Sequence, residues 1–117
     1  MFKEILKKAV DSIPGARGAI FADWEGESVE HCFYGPDDDI KLLGAHQGIL
    51  LNLLADSTKE NGQGRVLCML VSTEGFRFIV QPVKDGYFLV ILLSDSGNGG
   101  IALKVARDTA DILMQEI

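Results

Sequence analysis

A chain of 117 residues and 12.7 kDa has room for one hydrophobic core, so the sequence predicts a single domain over residues 1–117. Its 17 Asp and Glu against 11 Lys and Arg give a net charge of -6, which opposes phosphate backbones and argues against nucleic acid as a partner. Its longest apolar segments fall short of the roughly 20 residues that span a bilayer, and Met1 to Val10 mixes apolar and charged residues where a secretory signal would be an apolar block, so a cytoplasmic protein without membrane insertion is expected.

Phe2, Ile5, Leu6, Ala9, Val10 and Ile13 recur at the i, i+3, i+4, i+7 spacing of an amphipathic helix, and Pro14-Gly15 stops it. Ala16 to Asp23 then reads as a strand. Asp23-Trp24-Glu25-Gly26 supplies a turn, and Glu27 to Tyr34 returns as the second arm of a hairpin. Trp24 is the lone tryptophan, and at a hairpin tip it favours a binding surface. After Gly35-Pro36, the run Asp37-Asp38-Asp39 crowds the start of a second helix, where carboxylates cap free N–H groups and suit the helix dipole.

That second helix, from Asp37 to about Ser57, carries an excess of apolar surface. At about 100° per residue, Ile40, Leu42, Leu43, Ile49, Leu50, Leu51, Leu53 and Leu54 sweep an arc of roughly 200°, about twice what a helix needs to cover one core. His46 lies inside this arc and reads as a core or interface histidine. The simplest arrangement packs the helix on its own sheet and also on a second subunit. Lys41, Ala45, Gly48, Asn52, Asp56 and Lys59 fill the remaining polar strip. The helix fades in the polar loop Ser57 to Gly62.

Three strands follow, Gln63 to Val71, Gly75 to Pro82 and Gly86 to Ser94, joined by connections short enough to make antiparallel neighbours. Tyr87 to Leu93 is apolar at every position. This strand should be central, with both faces covered, which requires helices on both sides of the sheet. Ser94 to Gly100 is a loop of turn and cap residues before a last helix running to Ile117. The order is helix, strand, strand, helix, strand, strand, strand, helix, an α+β chain.

The residues that carry chemistry elsewhere form no convincing active site here. Cys32 and Cys68 lack CxxC spacing and sit in apolar strand patterns, so both read as small buried hydrophobes in a reducing compartment. His31 occupies an ordinary strand position, and neither histidine has a partner at a spacing that recommends a triad. Gly97-Asn98-Gly99-Gly100 lacks the Lys-Ser/Thr of a phosphate loop and reads as the turn that starts a helix. Asp23 and Glu25 read as turn residues rather than an acid and base pair. Among Arg17, Arg65, Arg77 and Arg107, none sits in an outward glycine-rich loop suited to lending an arginine to phosphoryl transfer. No enzyme, metal or cofactor is expected.

Ile13-Pro14-Gly15-Ala16-Arg17-Gly18-Ala19 leading into a strand, Asp23 to Glu27 as the hairpin turn, the long apolar helix and the Ser94 to Gly100 loop together resemble the Roadblock/dynein light chain family over essentially the whole chain. The resemblance implies a five-stranded antiparallel sheet with the long helix on one face and the terminal helices on the other. It also implies pairing through the long helix and the strand after it, which places Leu42, His46, Ile49, Leu53, Val66, Cys68 and Leu70 in a homodimer interface. Family members regulate or scaffold Ras-like small GTPases, and others are dynein-associated light chains. The expected function is therefore a homodimeric, non-catalytic regulator of a Ras-like small GTPase, with Lys41, Ala45, Gly48, Asn52, Asp56 and Lys59 as the partner surface. A structural adaptor in a motor or membrane-associated complex is the alternative. A sensor binding a small ligand under the sheet is a third reading, which the bulky Phe and Leu residues of a filled core oppose.

Overall fold

The computed structural model describes residues 1–23, 25, 27–34, 52, 54–74, 76–94 and 97–117. The elements are α1 (Phe2–Asp11), β1 (Ala16–Ala22), β2 (Ser28–Phe33), α2 (helical at 52 and 54–60), β3 (Met69–Ser72), β4 (Phe76–Pro82), β5 (Phe88–Ser94) and α3 (Gly99–Glu116). The strands form one antiparallel sheet in the order β2-β1-β5-β4-β3. The uninterrupted apolar run of β5 accordingly lies at the centre, with Phe88 to Leu93 all buried.

Two cores flank the sheet. On one face Leu6, Val10 and Ile13 after α1 meet Ala102, Ala106, Ala110 and Leu113 of α3 over Phe21, Ile79, Leu89 and Ile91. The alanines of α3 let that helix approach the sheet closely. On the other face Ile20, Ala22, Val80, Phe88 and Val90 form a second core, with Phe33, Val66 and Met69 packed on it. Alternate residues of one strand feed opposite cores, as the period of two requires.

Two segments that are distant in sequence close the end of the first face. Gly97 lies against Gly15, the Gly15 carbonyl accepts from Ser94 N–H at 2.9 Å, and the Pro14 carbonyl accepts from Asn98 N–H at 3.0 Å. Gly15 has φ +83, and a Cβ there would collide with the Gly97 backbone. The Pro-Gly stop after α1 and the glycine-rich loop before α3 are therefore halves of one contact. Asn98 caps α3, its side chain accepting from Ile101 N–H at 3.0 Å, which bears out the helix-start reading of that loop.

The hairpin turn is also as expected where described. The Asp23 carboxylate accepts from the N–H groups of Glu25 and Glu27, each at 3.0 Å, and Asp23 N–H donates to the Glu27 carbonyl. Trp24 and Gly26 lie outside the described residues, as does the Asp37 to Asp39 run.

Three expectations need correction. Strand β3 begins at Met69, not Gln63. Its register with β4 (Met69 opposite Val80) would place Leu67 opposite Pro82, which has no N–H to give, and Gln81 instead caps the Leu67 carbonyl with its side-chain amide at 2.9 Å. Gly62 and Gly64, at φ +69 and +87, also bend the approach out of an extended path. Cys68 in that approach is exposed, so only Cys32 is the buried hydrophobe foreseen for both. Helix α2 continues to residue 60 rather than fading at Ser57, because Thr58 hydrogen-bonds the Ala55 carbonyl and Asn61 N–H still reaches the Ser57 carbonyl.

Helix α1 is tied to the sheet edge through exposed polar groups. Tyr34 donates its hydroxyl to Asp11 at 2.7 Å, Lys7 donates to the other Asp11 oxygen at 2.9 Å, and Lys3 reaches the His31 carbonyl at 2.9 Å. The Tyr34 hydroxyl, then Lys7, hold the Asp11 carboxyl below its ordinary pKa, and the same bond to Asp11 holds the Tyr34 phenol above its own. A depressed carboxylate contributes stability above its unfolded pKa, and that stability is lost as pH falls through the folded value. A raised phenol contributes below its unfolded pKa and loses the contribution as pH rises through the folded value. Urea midpoints of Asp11→Asn and the parent chain should thus differ most near neutrality, with the parent more stable, and converge at both acid and alkaline ends. The gap should be small because every group is exposed.

Candidate interaction surface

Strand β3 is an outer strand of the sheet, and its side chains are unevenly covered. Met69 and Val71 point toward the second core and are half-buried, whereas Leu70 is 49% exposed and Leu67, just before the strand, is 72% exposed. Helix α1 packs over β1 and β2, and helix α3 over β4 and β5. An apolar outer strand with free pairing capacity is a template for another chain.

The described part of α2 meets the segment that leads into β3, with Asn52, Ala55 and Lys59 sharing a pocket wall with Val66 and Leu67. Asn52, Asp56 and Lys59 follow at i, i+4 and i+7 and are all exposed, so they form one polar stripe, as the expected partner strip requires. Leu54, a member of the apolar arc, is 37% exposed. Lys41, Ala45 and Gly48 of the strip lie outside the described residues, as do Leu42, His46, Ile49 and Leu53 of the expected interface. Of the remaining interface residues, Val66 is half-buried against the second core, and Cys68 and Leu70 are exposed at the edge. The structure therefore brings Asn52, Asp56 and Lys59 to one helix stripe, and Cys68 and Leu70 to one sheet edge.

The arginines take structural or solvent positions. Arg77 donates to the Gly97 carbonyl and props the loop before α3, while Arg17, Arg65 and Arg107 are exposed. His31 is half-buried on β2, opposite Ile20. Among the described residues no cluster of His, Cys, Asp and Glu could hold a metal ion, and no helix is long and apolar enough to cross a membrane. Leu67 lies in the run Val66 to Val71, which is too apolar for a bare sheet edge and so signals an exposed anchor in the sequence itself; the exposure of Leu54 depends on what packs around α2, and sequence carries no trace of it.

No family profile matches the sequence, and no curated protein matches it. Solved structures do match its fold. The Roadblock/LC7 domain from Streptomyces avermitilis superposes with a TM-score of 0.89 at 14% identity, over 97% of this chain and 95% of that one. The gliding protein MglB from Thermus thermophilus gives 0.85 at 17% identity, over 96% and 84%. MglC from Myxococcus xanthus gives 0.71 at 24% identity, over 97% of both chains. With its sheet order, its two cores and its paired helices on one face, this chain has the Roadblock/LC7 fold.

Proposed function

We propose that this chain is a non-catalytic, cytoplasmic homodimer of one domain per subunit that regulates or scaffolds a Ras-like small GTPase. The observation that carries the reading is the apolar edge: Leu70 exposed on β3 and Leu67 exposed just before it, with Leu54 exposed on α2. In a Roadblock/LC7 fold, such an edge suits pairing with a second copy. Pairing would cover Leu70 and Cys68 and extend one sheet across the twofold axis. The likeness in fold to the gliding protein MglB and to MglC supports a regulatory rather than an enzymatic role.

Two polar strips of α2 would then lie side by side across the axis. Small residues at Ala45 and Gly48 let a partner approach, and Lys41, Asp56 and Lys59 set its orientation and on-rate. A surface that crosses a twofold axis accepts one GTPase per dimer. Double reversal of Lys41 and Lys59 to Glu should leave the dimer intact in sedimentation and weaken binding of the cognate GTPase at least tenfold, about 1.4 kcal/mol. Unaltered binding, with loss instead on replacing Trp24, would move the surface to the β1–β2 hairpin. Nucleotide turnover separates the two roles: a change in GTP hydrolysis marks a regulator, whereas saturable binding indifferent to nucleotide marks a structural adaptor in a motor or membrane-associated complex.

A further inference from the structure

A cavity of about 880 Å³ opens where the end of α2, the segment 62–67, the β4–β5 hairpin and the end of α3 converge. Its rim borders the proposed partner strip at Asn52 and Lys59 and the pairing edge at Val66 and Leu67, but Arg65, Pro82, Tyr87 and Met114 belong to neither. Its inner wall is apolar, with Val83 buried and Pro82, Tyr87 and Met114 half-buried. Tyr87 is held from behind by Phe21, ring centroids 5.4 Å apart, so its ring is a fixed wall. Gly62 and Gly64 also line it, and at neither does anything stand within 4 Å of where a Cβ would be.

The charge on this wall runs against the rest of the chain. The net charge is -6, yet the charged residues lining the cavity among the described ones are Lys59 and Arg65. Both are exposed at the rim, and neither forms a salt bridge among the described residues. Asp85 is on the neighbouring hairpin but not on the wall. A cavity in the roughly 300–1,000 Å³ range, mainly apolar with a few convergent polar groups, has the size and make-up of a small-molecule site.

We propose that this cavity binds a small amphipathic anion, with a ring or branched apolar body against Tyr87, Pro82 and Met114 and a carboxylate, sulfonate or phosphate head between Lys59 and Arg65. Two such cations hold an anion without first having to break an ion pair. An acidic peptide would share the head chemistry, but the half-open apolar pocket, walled by Val83, Tyr87 and Met114, suits a compact body better than an extended backbone. The site shares Asn52 and Lys59 with the proposed partner strip, and Arg65, Tyr87 and Met114, which lie outside that strip, tell the two apart.

The test titrates the 117-residue chain by fluorescence with anilinonaphthalenesulfonate and with uncharged N-phenylnaphthylamine, which shares its rings but lacks the sulfonate. The sulfonate should bind saturably at one per chain. Arg65→Glu should weaken it at least tenfold and leave the uncharged probe within twofold, while Arg17→Glu, on β1, should change neither. Met114→Trp should fill the cavity and abolish both, with Ala55→Phe doing the same from the α2 wall should the first variant fail to fold. Equal loss of the sulfonate in Arg17→Glu and Arg65→Glu would overturn the proposal, as general surface charge would then explain it. Binding that disappears as protein concentration rises would also overturn it, assigning the cavity to a second copy, and so would displacement by an oligoglutamate peptide that itself binds more tightly than the sulfonate.

Discussion

Phe21→Ala should destabilise the protein by about 3–5 kcal/mol, the usual range for truncating a fully buried aromatic residue. Phe21 is 0% exposed on β1, and its ring is 5.3 Å from Phe2 on α1 and 5.4 Å from Tyr87 beyond β4. Removing it would open a void between a helix, the central strands and a hairpin that cannot all collapse together. Because domains of this size are stable by only about 5–15 kcal/mol, the variant would retain a small margin or none. Urea denaturation should show the drop. Val29→Ala, at a side chain 42% exposed on β2, should change stability by no more than about 0.5 kcal/mol. Equal effects for the two would mean that the α1 face is not the core described.

Ile49→Asp should convert the proposed dimer to monomer or unfolded chain. Ile49 lies outside the described residues, and the expectation comes from the apolar arc of roughly 200° in which it sits. An unpaired carboxylate buried between two subunits costs several kcal/mol, enough to dissociate an interface that extends a sheet by one short strand. Sedimentation velocity reads the change in mass. Hydrogen exchange supplies a second readout, since amides of Met69–Ser72 at the edge should exchange faster in the variant if pairing protects them. An unchanged dimer with unchanged protection would discard this interface.

The two expectations stand on different footings. Phe21 is placed by observed neighbours, whereas Ile49 is placed by periodicity alone. If Phe21→Ala behaves as expected and Ile49→Asp does not, the fold stands and the mode of association is wrong.

Much of the architecture was legible in the sequence because it rests on local rules. Period-3.6 spacing marked α1, the unbroken apolar run marked β5 as the central strand, and Pro14-Gly15, Asp23 and Asn98 marked the ends of elements through their own backbone chemistry. Boundaries failed where a neighbour decided them. The approach to β3 reads as strand from Gln63 onward, yet whether it pairs depends on which residue of β4 lies opposite, and that residue is Pro82. Cys68 was misread as buried for the same reason, since its apolar context is real but no element among the described residues covers it.

Sequence by itself determined the element order, the central strand and the two-sided demand for helices, because these follow from the spacing of apolar residues and from turn chemistry along the chain. Tertiary structure alone decided that the Pro-Gly stop after α1 docks on the loop before α3 and that Lys59, Arg65, Tyr87 and Met114 border one cavity. Those contacts join residues from separate elements, and sheet order and register, which no local pattern encodes, bring them within reach of one another.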